Sequence, residues 1–221
     1  MCSSDLSDMS GGASAAAVRS RLLALHGGSF QLDLYQLPLL GLATAPKVMV
    51  SQFDYTCEHC RRSHEPILAA QRLFSNELAV ICLPMPIDAR CNEWIRRTPA
   101  AHTNACQFAA LGLAVWRADP AKFHEFDDWL MTAPEGLHVP QALARARVLV
   151  GEATLDQALA DPWVAQTLQL SIALYHSNAL AAKSGAMPML TAGTNVVTGT
   201  VNSTDELCRL LDRALGLKAP R

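Results

Sequence analysis

The chain has 221 residues, half of them apolar and 17% charged, with a net charge of −2 at neutral pH. That length suits one domain with an insertion, or two small domains, and is enough to bury a sizeable core. The near-neutral balance without a basic face excludes nucleic acid as a partner. No run of about 18 apolar residues is present to cross a membrane. Seven cysteines exceed what a reducing cytosol favours, yet fall far below disulfide-scaffold density.

In chain order, Met1-Cys2-Ser3-Ser4-Asp5-Leu6 has neither the basic stretch nor the apolar core of a signal peptide. One reading frame of a common sequencing-library adapter encodes Cys2 to Leu6. The start is therefore expected to be artefactual, on a truncated gene fragment, with Cys2 foreign and any native signal or anchor lost. Ser10 to Ser14 is a Gly/Ser/Ala stretch of linker type. Ala15 to Leu25 is expected as a short helix ending at Gly27-Gly28. Phe30-Gln31-Leu32-Asp33-Leu34-Tyr35 alternates apolar and polar residues, as an edge strand with one buried face does. Pro38 and Gly41 then turn the chain into Lys47 to Tyr55, a buried strand by its apolar run.

Cys57-Glu58-His59-Cys60 follows at once, and Arg61 to Phe74 places apolar residues at helical spacing. Leu78 to Leu83 is a further β-type run, closed by Pro84 and Pro86. From about Thr98 to Gly185 the pattern is helical. Ala100 to Ala118 forms one helix, and Gln141 to Val150 another that Gly151 stops. Asp119-Pro120 and Asp161-Pro162 each set an N-cap acid before a first-turn proline. The Asp161 helix runs through Leu168, Ile172 and Leu180 and ends near Gly185. Strand signals return at Met189 to Thr191, turn at Gly193, and continue from Asn195 to Val201. A final amphipathic helix starts at Ser203 or Thr204, with Leu207, Leu210, Leu211 and Leu215 on one face.

A Cys-x-x-Cys pair at a strand-to-helix junction sits where free backbone N–H groups and the helix dipole stabilise a thiolate. The thiolate is the nucleophile of disulfide exchange, so this placement makes Cys57 and Cys60 a candidate redox pair. A metal site is the competing reading, with Cys57, Cys60 and His64 as ligands and Cys91 or His102 as a fourth. A structural zinc site takes four ligands, and the sequence has no second closely spaced pair. A redox-silent peptide-binding domain is the third class; the intact pair argues against it. Asp54 reads equally as a local proton acceptor or as a polar strand end. Cys91 and Cys106 flank a polar loop, and a bond between them would stabilise by roughly 3 kcal/mol in the chain-entropy model. A structural disulfide is favoured there over a second redox pair, and stands level with two free thiols. Cys82 and Cys208 read as inert buried thiols. His102, His124, His138 and His176 share no convincing spacing and read as ordinary residues. Trp116, Phe123, Phe126 and Trp129 read as helical core.

Phe53-Asp54-Tyr55-Thr56-Cys57-Glu58-His59-Cys60, the lead-in Leu37-Pro38-Leu39-Leu40-Gly41 and the loop Gly185-Ala186-Met187-Pro188-Met189-Leu190 together resemble the DsbA-like branch of the thioredoxin superfamily. The resemblance covers about Leu37 to Leu215. It implies an α/β thioredoxin fold with an all-helical insertion. Residues 1–28 would be tail or linker, 29–97 the N-terminal part with the Cys-x-x-Cys pair, 98–185 the insertion, and 186–221 the C-terminal part with a cis-proline loop. It also implies a protein disulfide oxidoreductase with no cofactor beyond the Cys57–Cys60 disulfide. Cys57 would be the exposed nucleophile, Cys60 the resolving thiol, and His59 a stabiliser of the Cys57 thiolate, with Arg61, Arg62 and His64 adding positive potential. A cis Pro188 would present Met187 backbone to an extended substrate segment and keep metal out of the site. Glu58 departs from the proline common in the family. A carboxylate there should raise the Cys57 pKa and make a milder oxidant. The implied partners are protein thiols or disulfides and a regenerating partner, membrane quinone-linked or other. The implied compartment is extracytoplasmic, such as the periplasm. Some members are joined to a vitamin K epoxide reductase-type quinone reductase, and a truncated start leaves room for that.

Overall fold

The computed structural model describes residues 19–133, 136 and 138–219. Its centre is a five-stranded sheet in the order β3-β5-β4-β6-β7. The central strand β4 (Lys47–Phe53) runs parallel to β5 (Leu78–Pro84), and the helix α1 (Glu58–Leu73) connects them. β5 is buried along its whole length, as its continuous apolar run requires of a strand covered on both faces. On the other side β4 pairs antiparallel with β6 (Met189–Ala192), which turns back into β7 (Asn195–Thr198). The short β3 (Leu39–Leu40) lies antiparallel on the outer side of β5. Gly41, at φ +89°, ends it where any side chain would strike the Leu78 carbonyl at 2.7 Å.

Strand alternation divides the core into two. Met49 and Phe53 of β4, Leu78, Val80 and Cys82 of β5, and Leu190 and Ala192 of β6 belong to one cluster. That cluster also takes in α1, the C-terminal helix α7 (Thr204–Leu215) and the helical block. Val48, Val50, Ala79, Ile81 and Leu83 join Leu174 and the N-terminal strands in the other.

The helical block is α2 (Ala105–Ala118), α3 (Pro120–Thr132), α4 (Val139–Val150), α5 (Glu152–Ala160) and the long α6 (Pro162–Ala182). The Asp119 and Asp161 carboxylates accept from the backbone N–H of Ala121 and Trp163, capping α3 and α6 as their Asp-Pro signals require. Ser203 caps α7 by accepting from Glu206 N–H, while Glu206 reaches back to the N–H of Asn202. The whole is a thioredoxin fold with an all-helical insertion.

Three local expectations change. Leu22–Leu25 is a strand, β1, rather than the end of a helix. It pairs antiparallel with β2 (Phe30–Asp33) in a separate two-stranded sheet, so Phe30 to Tyr35 is no edge of the main sheet. The residues before 19 lie outside the described part, and with them the Gly/Ser/Ala stretch and the start of that expected helix. Gly151, at φ +84°, stops α4 at Val150 as expected, but a further helix that the sequence does not signal, α5, starts at the next residue. Ala100 to Ala118 is broken into a 3-10 turn at Ala100–His102 and α2, with Asn104 left-handed between them.

Candidate active site

Cys57 is the N-cap of α1, its backbone extended at φ −81°, ψ 118°, so its sulfur stands at the positive end of the helix. The Cys60 thiol and the backbone N–H groups of Cys60 and His59 favour the Cys57 anion over opposing burial. They bring its pKa down from 9.0 to about 6. Asp54 works the other way and raises it. Cys60 is pushed well above the ordinary thiol value by burial and by the neighbouring Cys57 sulfur. One thiol is thus poised to ionise near neutral pH while the other holds its proton.

Cys57 is not exposed as the sequence reading has it: only 6% of its surface is accessible, against 2% for Cys60. Both belong to the cluster that includes Met187. The Met187–Pro188 peptide is cis, and its loop is held from two sides. The Gly199 N–H donates to the Pro188 carbonyl at 2.9 Å. Tyr175 of α6 donates its hydroxyl to the Gly185 carbonyl at 2.6 Å. Burial and the two active-site sulfurs raise the Tyr175 pKa to about 12, so it stays a donor.

The remaining candidates separate. His59 turns its ring toward Thr200 and Arg62, its Nδ1 2.8 Å from Thr200 Oγ1 and 2.6 Å from Arg62 Nη2. What it turns toward Cys57 is backbone. Glu58 is four-fifths exposed and 3.7 Å from Arg62. Arg61 donates to the Ala133 carbonyl. His64 is buried and faces Asp128 of α3 at 3.0 Å. Among the described residues no group of three or more His, Cys, Asp and Glu side chains is placed to hold a metal. Cys82 is fully buried, its thiol pushed well above the ordinary value by burial and Asp127.

Asp54 is the surprise in its surroundings. It is 1% exposed, and its carboxylate accepts from the backbone N–H of Thr56 (2.7 Å), the Thr56 hydroxyl (2.6 Å) and the backbone N–H of Ile87 (2.8 Å). The fourth neighbour is His102, its Nδ1 3.1 Å from Asp54 Oδ2 and 2.9 Å from Thr56 Oγ1. From the sequence His102 reads as an ordinary residue or a fourth metal ligand; its partner Asp54 lies 48 positions earlier and is supplied by the fold. The segment that carries His102 is closed by the Cys91–Cys106 disulfide, with Cα atoms 6.0 Å apart. Just before that segment the buried Asp88 accepts from Arg90, Thr98 and Cys106 N–H. Burial alone would raise the Asp88 pKa, but these donors hold it down to about 2.

Behind Cys60 lies a cavity of about 10 Å³, lined among others by Ser51, His64, Cys82, Asp127 and Pro188. Asp127, from α3, has its pKa raised by complete burial and accepts from the Tyr55 hydroxyl at 2.7 Å.

No protein-family model and no curated protein sequence matches the chain. Solved structures do. The catalytic domain of Proteus mirabilis ScsC is 22% identical, with 82% of this chain and 90% of that one aligned at a TM-score of 0.62. A periplasmic thioredoxin-like protein from Salmonella enterica serovar Typhimurium is 20% identical over 82% and 91% of the two chains, with a TM-score of 0.63. The thiol-disulfide exchange protein alpha-DsbA2 from Wolbachia pipientis is 19% identical over 80% and 86%, with a TM-score of 0.61. These likenesses establish a shared fold.

Proposed function

We propose that this chain is a DsbA-like protein disulfide oxidoreductase working through Cys57 and Cys60. The observation that carries the reading is the asymmetry of the pair. Cys57, at the N-cap of α1, ionises at about 6, while Cys60 behind it stays protonated. In the oxidising direction a substrate thiolate attacks Cys57 Sγ of the Cys57–Cys60 disulfide. A mixed disulfide forms and Cys60 leaves with the electron pair, taking up a proton. A second substrate thiolate then attacks its partner sulfur. The substrate disulfide forms, and Cys57 leaves as its stabilised thiolate with the two electrons.

A leaving thiol of low pKa departs faster and stabilises the reduced protein, which favours oxidation of the substrate. A value of about 6 lies between about 7 for thioredoxin and about 3.5 for DsbA, which supports a milder oxidant. Met187 and Pro188 are the proposed substrate-backbone contacts beside the sulfurs. Asp54 is the principal carboxylate acting on Cys57, and Glu58, exposed and next to Arg62, takes a smaller share. The Cys91–Cys106 bond is proposed as structural.

The neighbours include a periplasmic protein, and a chain using a second disulfide belongs in an oxidising compartment. We place it outside the cytoplasm, acting on protein thiols and re-oxidised by a separate partner. No helix among the described residues is long and apolar enough to cross a membrane. Insulin reduction and dithiol-peptide oxidation test the activity. Wild type should turn over in both and Cys57→Ser in neither; equal rates for the two would reject the assignment.

A further inference from the structure

We propose that His102 is a positioning residue of this site: its ring, held by Asp54 and Thr56, sets a positive charge beside the Cys57 sulfur and so governs how readily the thiolate forms. The inference rests on the reading of Cys57 as the nucleophile.

The hydrogen-bond network fixes the ring. The Thr56 hydroxyl spends its proton on Asp54 Oδ1, so its oxygen is an acceptor toward His102 Nδ1. Asp54 Oδ2 is a second acceptor at the same nitrogen. Nδ1 therefore carries hydrogen and shares it between the two, an assignment the network makes. Thr56 is the residue before Cys57, so the ring bonds the side chain that precedes the N-cap as well as the Asp54 carboxylate.

Asp54 is the neighbouring carboxylate that opposes Cys57 ionisation. A cationic ring hydrogen-bonded to it offsets that opposition. The hydrogen bond to Asp54 raises the His102 pKa against partial burial, and the charges of Asp54, Cys57 and Asp88 raise it further. Energetic coupling between two sites is reciprocal, so a thiolate that favours the imidazolium is itself favoured by it. The charged and titratable groups around the ring come from three places. Asp54 and Cys57 lie at the start of α1; Asp88, neutralised by Arg90, lies in the loop after β5; Arg61 lines a cleft with Thr56, Ala101 and Thr103 and is tied to the Ala133 carbonyl. His102 is thus the titratable base directly hydrogen-bonded to Asp54. It is 16% exposed, enough to exchange protons with water.

The test titrates the Cys57 thiolate by its ultraviolet absorbance, in protein whose Cys57–Cys60 pair alone is reduced. His102→Asn keeps a hydrogen-bond donor near Nδ1 but removes the charge. It should raise the Cys57 pKa by about one unit, a roughly tenfold loss of thiolate below that pKa. His102→Lys, which keeps a cation, should restore most of the shift. An unchanged pKa in His102→Asn overturns the proposal, as does an equal rise in His102→Lys. Should a variant not fold, the wild-type ring is followed by NMR in both redox states. His102 should titrate higher in the reduced protein, where the thiolate is present, and identical titrations overturn the proposal. Neither readout uses a substrate. Inactivity of the wild type would reject the oxidoreductase reading alone, and flat titrations would reject the role of His102 alone.

Discussion

The Tyr55 hydroxyl donates to the Asp127 carboxylate at 2.7 Å, fastening the segment that leads into Cys57 to the second helix of the insertion, α3. Both groups are buried, and each is shifted toward its protonated form chiefly by that burial. The helical block is therefore bonded to the backbone that sets up the nucleophile.

Gly112 of α2 makes this bond possible. A Cβ added there would stand 2.6 Å from the Tyr55 hydroxyl oxygen and 3.2 Å from its ring. Gly112→Ala should push Tyr55 off Asp127 and destabilise the protein by about 1–3 kcal/mol through overpacking. Urea denaturation reads this directly; an unchanged midpoint would mean that Tyr55 has room to withdraw.

Two carboxylates lie close to Cys57 in sequence, and their variants should differ. Asp54→Asn preserves shape but removes the charge that raises the Cys57 pKa, so the thiolate should form at lower pH. Glu58→Gln removes a carboxylate that water already screens, and should lower the value by less. Iodoacetamide alkylation rates against pH give both numbers, and a larger effect at Glu58 would reverse their order.

Replacing Cys91 and Cys106 together by Ser should cost about 3 kcal/mol in the chain-entropy model. The loop they close carries His102, so the same variant should also raise the Cys57 pKa. Thermal unfolding and thiolate titration on one sample separate these effects. Lost stability with an unmoved pKa would uncouple the disulfide from the active site.

The Cys57 titration also makes the stability of the reduced protein pH-dependent. Its folded pKa of about 6 lies below the unfolded value of 9.0. The contribution is fully present above 9.0 and is lost as pH falls through about 6. Under identical reducing conditions, the Tm advantage of wild type over Cys57→Ser should therefore widen from pH 6 to pH 9. A constant difference would mean that folding leaves the thiol unperturbed.

Much of this architecture is written locally in the chain. The buried run of β4, the cysteines at its end and the two Asp-Pro caps follow from short-range rules, and the structure adds partners to them. Elements that depend on distant partners are harder to read. Leu22–Leu25 has a composition suited to helix, but four residues follow their partner β2 instead. Gly151 carries the positive φ of a helix stop, and nothing local says that a new helix starts at the next residue. Cys57 reads as exposed from its place at a helix start, yet it packs in one cluster with Met187, 130 positions away. His102 is the clearest case: its partner Asp54 is supplied by the fold. The available signal is that Cys91 and Cys106 bracket it, so a bond between them would confine its loop.

The most direct measurement mixes the oxidised protein with an equimolar dithiol peptide and follows both by acid quench, alkylation and mass spectrometry. Transfer of the Cys57–Cys60 disulfide to the peptide is expected, through a transient adduct on Cys57 that a single-thiol peptide traps on Cys60→Ala protein pre-activated at Cys57 as a mixed disulfide. A peptide that stays reduced while the Cys57–Cys60 bond persists, or an adduct found on Cys60, would contradict it.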